Sequence, residues 1–599
     1  MTGADLSPDG SPLEWTRDGQ PRSRRFGDVY FSAEDGLAES RAVFLEGCGL
    51  PRAWEGRRRF VVGELGFGTG LNIAALLDLW RKHRPGDAVL SVFSVEAFPL
   101  SAESAMRALA RWPELSEVSH LLTTRWPGET PGRHRVDLPE FGAILDVAVM
   151  PVADALAGWN GRADAWFLDG FSPALNPQMW TDEVLALVAA RSAPGAAAAT
   201  FTVAGQVRRG LAAAGFTAER HPGYGRKRER LEARLPGQAS DPPPRRVAII
   251  GAGIAGAAAA RAVRALGGEA VVVEAVAPGA GGSGNPAAMV TPRLDAGLGE
   301  AARLFAQAFS RATTLYGEVA GAVISRGALQ LALDDRDVER FSRIIDSDLF
   351  AAGTLNLLSA ADATARLGEP APVTLDQPDA LVVAPAPILA AWIGSAGTEP
   401  VAGLEADGAA WRLLAADGAE MLRVDAVIVA AALGSMALAP DLPLQGVRGQ
   451  ATWTLDGADG PTAAFGGYVA PTGHGLLFGA THDRDDLADD LRDRDQVRNL
   501  ATLRATLPAL AAKLETGDLQ GRASVRAVSQ DMTPIAGATV LDGVYVLTGF
   551  GSRGFSLAPL LAEHVAALAL GAPSPIGAEA AALVAPDRFA RRAARRGRS

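Results

Sequence analysis

The sequence predicts an α/β protein with an N-terminal Rossmann-like domain and a C-terminal Rossmann-type domain that carries an inserted α+β substrate domain. Three observations lead there. A strand, a glycine loop and a helix follow one another twice, at 60–80 and at 247–263. Each unit is followed by a second apolar strand that ends in a glutamate, Glu96 and Glu274. Between the units stands Asp241-Pro242-Pro243-Pro244. Proline lacks the backbone donor and fixes φ, so this stretch continues neither a helix nor a central strand and reads as a stiff linker. The expected boundaries are 1–236 for the first domain, 237–245 for the linker, 246–587 for the second domain and 588–599 for a basic tail.

A chain of 599 residues is too long for one core. With 48% apolar and 21% charged residues it is globular rather than disordered. The single cysteine, Cys48, excludes an intrachain disulfide framework or a thiolate metal cluster and fits a reducing cytoplasm. The start, MTGADLSPDGSPLEW, is polar and acidic, unlike a signal peptide. The longest apolar run, 247–260, holds three glycines, so no membrane span is expected. A net charge of −11 argues against a uniformly basic nucleic-acid surface but leaves local patches at Arg57-Arg58-Arg59, Arg226 to Arg230 and Arg591 to Arg598. A monomer is expected, and no metal site is read.

In the first domain Phe26-Gly27-Asp28-Val29-Tyr30-Phe31 alternates like a strand, Asp35-Gly36 marks a turn, and Leu37 to Leu45 reads as a helix. Next, Phe60 to Leu65 runs through Gly66-Phe67-Gly68-Thr69-Gly70 into a helix from Leu71 to Trp80. The spacing Glu-x-Gly-x-Gly-x-Gly is that of an S-adenosylmethionine-dependent methyltransferase loop. Such a backbone passes close to the methionine part of the donor, where a side chain would clash. Glu64, Gly66, Phe67, Gly68 and Gly70 are therefore candidates for holding the methyl donor. Glu96, after the strand Ala88 to Val95, is placed to grip a ribose diol, and Asp154 in MPVADAL stands where adenine contacts come. A solvated helix cap is the plain alternative for both acids.

The strand Asp164 to Leu168 runs into Asp169-Gly170-Phe171-Ser172-Pro173. Asp169 thus stands at the carboxyl edge of an open sheet, where ligands bind. A carboxylate there takes the proton of an amine acceptor and holds the amine in line with the sulfonium. An Asp–Gly turn is the alternative. Ala197 to Val203 reads as a late strand, Gly205 to Ala214 as a helix, and Gly223 to Arg230 as a basic hairpin tip that suits phosphate or solvent equally.

The second unit is more complete. Val247 to Ile250 is followed by Gly251-Ala-Gly253-Ile-Ala-Gly256, an alanine-rich helix, Val271 to Val273, and Glu274 eighteen residues beyond Gly256. This is the full dinucleotide-binding pattern. Gly251 permits the tight turn, Gly253 the approach of a pyrophosphate and Gly256 close helix–strand packing, while Glu274 accepts both hydroxyls of a ribose. A second glycine-rich loop, Gly279 to Pro286, is expected to bring Ser283, Gly284 and Asn285 to the flavin side of an FAD cofactor. Ala328 to Ala332, Ala451 to Thr454 and Leu476 to Thr481 read as strands of the substrate domain, and Val424 to Ala430 returns to the nucleotide sheet. After the strand Val544 to Leu547, Gly551, Ser552 and Gly554 lead into the last helix, whose free amides would face the electron-rich edge of the flavin. Arg526 and Arg553 are candidates for a bidentate clamp on a substrate carboxylate, with surface ion pairs as the alternative.

Both halves resemble one family. FGDVYFS, GLAESRAVFL, ELGFGTGLN, AWFLDGFSPALNPQMW, TFTVAGQVRRGL and GYGRKRE in the first half, and GAGIAGA, GGSGN, VRGQ, GYVAP, GATHDRDD and GSRGFSLAP in the second, are similar in content and order to the MnmC family of bifunctional bacterial tRNA wobble-uridine modification enzymes. The resemblance spans nearly the whole chain. It implies a C-terminal half of D-amino-acid-oxidase-like fold that uses FAD to oxidise the carboxymethylaminomethyl group of the wobble uridine, releasing glyoxylate and leaving the aminomethyl form. It implies an N-terminal half that methylates this amine from S-adenosylmethionine. It further implies tRNA as partner, Asp169 as the amine-binding base, Glu64, Gly66, Gly68 and Glu96 as holders of the donor, and Gly251, Gly253, Gly256 and Glu274 as holders of FAD. Two other readings stay open: a fused oxidase and methyltransferase for small amines such as glycine or sarcosine, and a tRNA-binding protein with degenerate sites.

Overall fold

The computed structural model describes residues 12–32, 34–225, 228–240, 245–439, 441–455, 457–515 and 517–596. The expected linker prolines Pro242 to Pro244, Arg226 and Lys227 of the basic hairpin, and Arg598 of the tail lie outside the described residues. The chain forms two compact units, 1–243 and 244–599.

The first unit is built on an eight-stranded sheet. Its middle strand, Arg59–Leu65, pairs in parallel with Val89–Glu96 on one side and Ala163–Leu168 on the other. Ala143–Val149 and Ser192–Thr200 extend the parallel block outward. Antiparallel strands Gly132–Leu138 at one edge, and Glu229–Arg234 with Thr217–Pro222 at the other, close it. The central strands are buried on both faces, as the apolar runs of a covered parallel sheet require. Helix Leu71–His83 starts directly from the glycine loop, and its apolar face, with Ile73, Leu76, Leu77 and Trp80, is buried.

Two segments differ from the sequence-based expectation. Residues 26–31 are not a strand. Gly27 has a left-handed φ of +64° and donates to Ser23 O, so the chain turns, and only an isolated bridge joins Val29 to Arg22. The helix expected over 37–45 is α-helical at Gly36–Ser40 and continues as a π-helical turn over Arg41–Glu46.

The second unit holds a six-stranded sheet in the order Ala396–Thr398, Glu269–Glu274, Arg246–Ile250, Ala426–Val429, Val544–Thr548 and Ile535–Ala538, parallel except at the last pair. Helix Ile254–Ala265 packs on helix Gly554–Leu570, which is not the last helix as the sequence suggested, since Ala578–Val584 and Arg588–Arg596 follow it; Gly554–Leu570 is the one that begins after the 549–553 loop. This helix is buried along nearly its whole length, as a helix apolar all round must be. It carries one buried charge, Glu563, paired to Arg311 at 2.6 Å and Arg261 at 2.8 Å, since an ionised carboxylate survives burial only when paired. The inserted sheet has ten strands and is mostly antiparallel, with Leu444–Thr454 and Leu519–Ser529 pairing over their full length. A small three-stranded sheet, Gly403–Asp407, Ala410–Leu414 and Glu420–Val424, precedes the return to the nucleotide sheet.

Candidate active sites

The five parallel strands of the first unit end on one edge. The residues just past those ends, Gly66, Ala97, Met150, Asp169 and Phe201, line a cleft of about 570 Å³ together with Phe67, Gly68 and Glu96. The glycine loop bends with φ of +92°, +52° and +75° at Gly66, Gly68 and Gly70, a region closed to most side chains. A Cβ on Gly66 would stand 3.1 Å from Asp169 O, and one on Gly68 3.1 Å from the Tyr30 ring. This bare backbone at the cleft fits the methyl donor's loop. Glu96 braces it: one carboxylate oxygen accepts from Gly68 N and the other from Phe98 N, both at 2.9 Å. Burial raises its pKa.

Asp169 is held at both oxygens. Oδ1 accepts from Gly170 N and Oδ2 from Asn72 Nδ2, each at 2.8 Å. Asn72 Oδ1 in turn accepts from Ser40 Oγ at 2.7 Å. A carboxylate only accepts, so Asn72 must turn its NH₂ toward Asp169 and its carbonyl toward Ser40. Asn72 lines the cleft and was not picked out from the sequence. Its signal was an asparagine, a poor helix former, in the first turn of the helix after the loop.

Three predicted residues do not line this cleft. Glu64 is fully buried in the sheet, where Ser94 Oγ donates to it at 2.5 Å and burial raises its pKa well above the carboxylate range. Gly70 forms the left-handed start of the helix. Asp154 is exposed in the first turn of helix Val152–Gly158, while Met150 and Val152 line the cleft there.

In the second unit a cleft of about 920 Å³ gathers Gly251, Gly253, Glu274, Ser283, Asn285, Arg526, Gly551, Ser552, Arg553 and Gly554. Gly256 and Gly284 lie behind it. A Cβ on Gly256 would sit 1.7 Å from Gly251 O, and one on Gly284 2.3 Å from Gly279 O. Gly253 is different: a Cβ there would meet only Ser283, at 3.2 Å, so its open side faces the cleft. The N-terminus of helix Ile254–Ala265 opens here, capped at Ile254 N by Ser283 Oγ at 3.0 Å. Such a terminus suits a pyrophosphate. Glu274 accepts from Ala252 N at 2.6 Å and from Ala275 N at 2.9 Å. These features fit the adenosine and pyrophosphate parts of FAD.

Arg526 donates to Thr481 O at 3.3 Å, and Arg553 to Pro292 O at 3.2 Å and Thr291 Oγ1 at 3.4 Å. Neither is in an ion pair among the described residues. Burial lowers the pKa of both, and Arg293 and Arg340 lower that of Arg553 further. Two guanidinium groups without an ion-pair partner among the described residues, in one cleft, have the chemistry to take a carboxylate. Tyr468 and His482 also line the cleft, and Arg522 pins the second glycine loop by donating to Ala280 O at 2.5 Å and Gly281 O at 2.7 Å. The sequence reading singled out none of these three.

Comparison with known proteins finds relatives of both halves. Residues 113–236 match the family of S-adenosyl-L-methionine-dependent methyltransferases, and 246–568 that of FAD dependent oxidoreductases. The tRNA 5-methylaminomethyl-2-thiouridine biosynthesis bifunctional protein MnmC of Caulobacter sp. (strain K31) is 57% identical over 597 residues, covering 98% of this chain and 99% of its own. The chain belongs to the MnmC family. A protein of the same name from Maricaulis maris (strain MCS10) is 42% identical over 100% of this chain and 99% of its own. The crystal structure of iminodiacetate oxidase from Chelativorans sp. BNC1 is a looser likeness, 24% identical with a TM-score of 0.46, over 55% of this chain and 96% of that one. As an MnmC-family protein the chain is a bifunctional enzyme, an S-adenosylmethionine-dependent methyltransferase joined to an FAD-dependent oxidoreductase. Among the described residues no helix is long and apolar enough to cross a membrane.

Proposed function

We propose that this chain converts the 5-carboxymethylaminomethyl group of a tRNA wobble uridine, with or without 2-thiolation, into the 5-methylaminomethyl group in two steps. The observation that carries the reading is the near-complete coverage of relatives named for tRNA 5-methylaminomethyl-2-thiouridine biosynthesis, both halves included. Bound FAD supplies a two-electron acceptor. Arg526 and Arg553 hold the carboxylate of the glycine-like substituent, whose charge offsets the cost of their burial. Water then cleaves the oxidised C–N bond, releasing glyoxylate and leaving a primary amine on the uridine. In the other cleft Asp169, its Oδ2 steadied by Asn72, takes a proton from that amine and aims the nitrogen lone pair at the methyl carbon of S-adenosylmethionine. The order follows from the chemistry, because the amine must be free before it is methylated. A cytoplasmic setting belongs to this reading and is supported by the single, buried Cys48.

The test is nucleoside mass spectrometry of tRNA carrying 5-carboxymethylaminomethyluridine after incubation with the full chain. The aminomethyl form should accumulate without S-adenosylmethionine and the methylaminomethyl form should appear with it. An unchanged nucleoside, with oxygen consumed on glycine or sarcosine instead, would establish the small-amine reading.

A further inference from the structure

Four aromatic rings stand together in the methyltransferase cleft. Phe26 and Phe171 lie 4.9 Å apart at 33°, Tyr30 meets Phe171 edge-on at 5.2 Å, and Phe26 meets Phe98 edge-on at 5.7 Å. All four line the cleft. They contrast with the aromatic rings in the core of this unit. Trp54, Phe60, Trp80 and Phe93 are buried to 1% exposure or less, whereas these four rings stay part-exposed. Phe171 follows Asp169 by two residues, so one turn at the end of strand Ala163–Leu168 supplies both the carboxylate and a ring. The segment that brings Phe26 and Tyr30 is tied to the same turn, since Asp28 Oδ2 accepts from Ser172 N at 3.4 Å. The exposed Arg25 lies over the Phe98 ring, 4.6 Å from its centroid.

We infer that Phe26 and Phe171, backed by Tyr30 and Phe98, form a stacking wall for the pyrimidine base of the methyl acceptor. Aromatic surface left open beside a proton-accepting carboxylate is costly in water unless a flat partner covers it. An unpaired, splayed-out base is such a partner, and stacking on aromatic side chains is how single-stranded nucleotides are held. A base on this wall carries its exocyclic aminomethyl group toward Asp169, and its phosphates lie on the side where Arg25 supplies positive charge. The identity of the base rests on the tRNA reading above; the wall does not.

The test compares Phe26→Leu, Phe171→Leu and Phe171→Tyr in the full chain. Leucine keeps the apolar volume and removes the flat face, and tyrosine restores it. Equilibrium dialysis with the nucleoside 5-aminomethyluridine reads stacking directly, methyl transfer to tRNA carrying the aminomethyl form gives kcat/KM, and titration with S-adenosylmethionine reports the donor site and the integrity of the fold. Each leucine variant should weaken nucleoside binding and acceptor kcat/KM about 10-fold, with donor affinity unchanged and Phe171→Tyr close to native. Weakened donor affinity in parallel would assign the wall to the adenine of the donor, and unchanged or undetectable nucleoside binding would reduce it to packing; either overturns the inference. A tRNA left unmethylated by the native chain, while the leucine variants still lose nucleoside binding, would instead refute the tRNA reading alone.

Discussion

In the methyltransferase loop Gly66, Gly68 and Gly70 all have positive φ, whereas in the FAD loop only Gly251 does, at +109°. Gly253 is extended and Gly256 is helical. What excludes a side chain at Gly256 is space, with Gly251 O standing 1.7 Å from where a Cβ would be. The first loop thus uses glycine to curve and the second uses it to let backbone touch backbone. The proposed ligands suit the difference. A bend through the left-handed region leaves bare backbone where a methyl donor would lie against it. A loop that aims a helix at a pyrophosphate needs the helix pressed against its strand. Both loops are braced alike, by a glutamate at the end of the next strand that accepts a loop amide: Glu96 from Gly68 and Glu274 from Ala252.

Adding one methyl group to each loop is the strongest way to break this contrast. Gly256→Ala forces a carbon into backbone that has no room to yield, so the FAD half should lose about 3 kcal/mol or more of stability and be purified without flavin colour. Gly70→Ala should cost the methyltransferase half less, about 1–2 kcal/mol of left-handed strain, because its Cβ meets side chains that can shift, Trp126 at 3.0 Å and Leu122 at 3.4 Å, rather than backbone; donor binding should weaken a few-fold by calorimetric titration with flavin content unchanged. Equal losses would show that the two loops work in the same way.

Asp169→Asn separates the halves chemically. It should lower the kcat of methyl transfer about 10²- to 10⁴-fold, and the aminomethyl nucleoside should accumulate because the FAD half still works. An undiminished yield of the methylaminomethyl form would remove Asp169 from the mechanism.

A further contrast between the halves is a divergence with pH. His564, buried in helix Gly554–Leu570 with Nδ1 2.8 Å from Ser574 Oγ, has its pKa pushed by burial from 6.5 to about 4. Between these values the unfolded chain binds a proton that the folded one does not. The FAD half should therefore lose roughly 1.4 kcal/mol per pH unit as pH falls below 6.5. Glu64 acts with the opposite sign. Burial raises its pKa, so the fold keeps a proton that the unfolded chain releases, and the methyltransferase half loses stability as pH rises above 4.5. Thermal unfolding against pH should show the two halves diverging, with His564→Asn flattening one trend and Glu64→Gln the other.

The sequence made legible what periodicity and glycine spacing encode: both nucleotide sheets, both loops, and the places of Glu96, Glu274 and Asp169 at their strand ends, though it read the two glutamates as holders of a ribose and not as braces of the loops. What it hid depends on three-dimensional neighbours. Asn72 gains its place from Ser40, 32 residues earlier, and Asp169, 97 residues later. Glu64 belongs to the loop motif by spacing, yet a side chain within a strand covered on both faces points into the core and not to the sheet's edge. Asp154 is two residues beyond Val152, which lines the cleft, and so falls on another side of the helix, a distinction of facing that spacing alone does not fix. Residues 26–31 alternate as a strand would, but Gly27 turns the chain, and the aromatic positions that suggested a sheet face instead cluster at a cleft.

Arg522 has one further consequence. An open stretch of glycines such as 279–282 has the most conformational freedom to lose when a ligand arrives. Its carbonyls at Ala280 and Gly281 are instead held by a single guanidinium from strand Leu519–Ser529 of the inserted sheet. The ordering is thus completed when the chain folds. The cofactor meets a socket already set, and its capture need not wait for a loop to close.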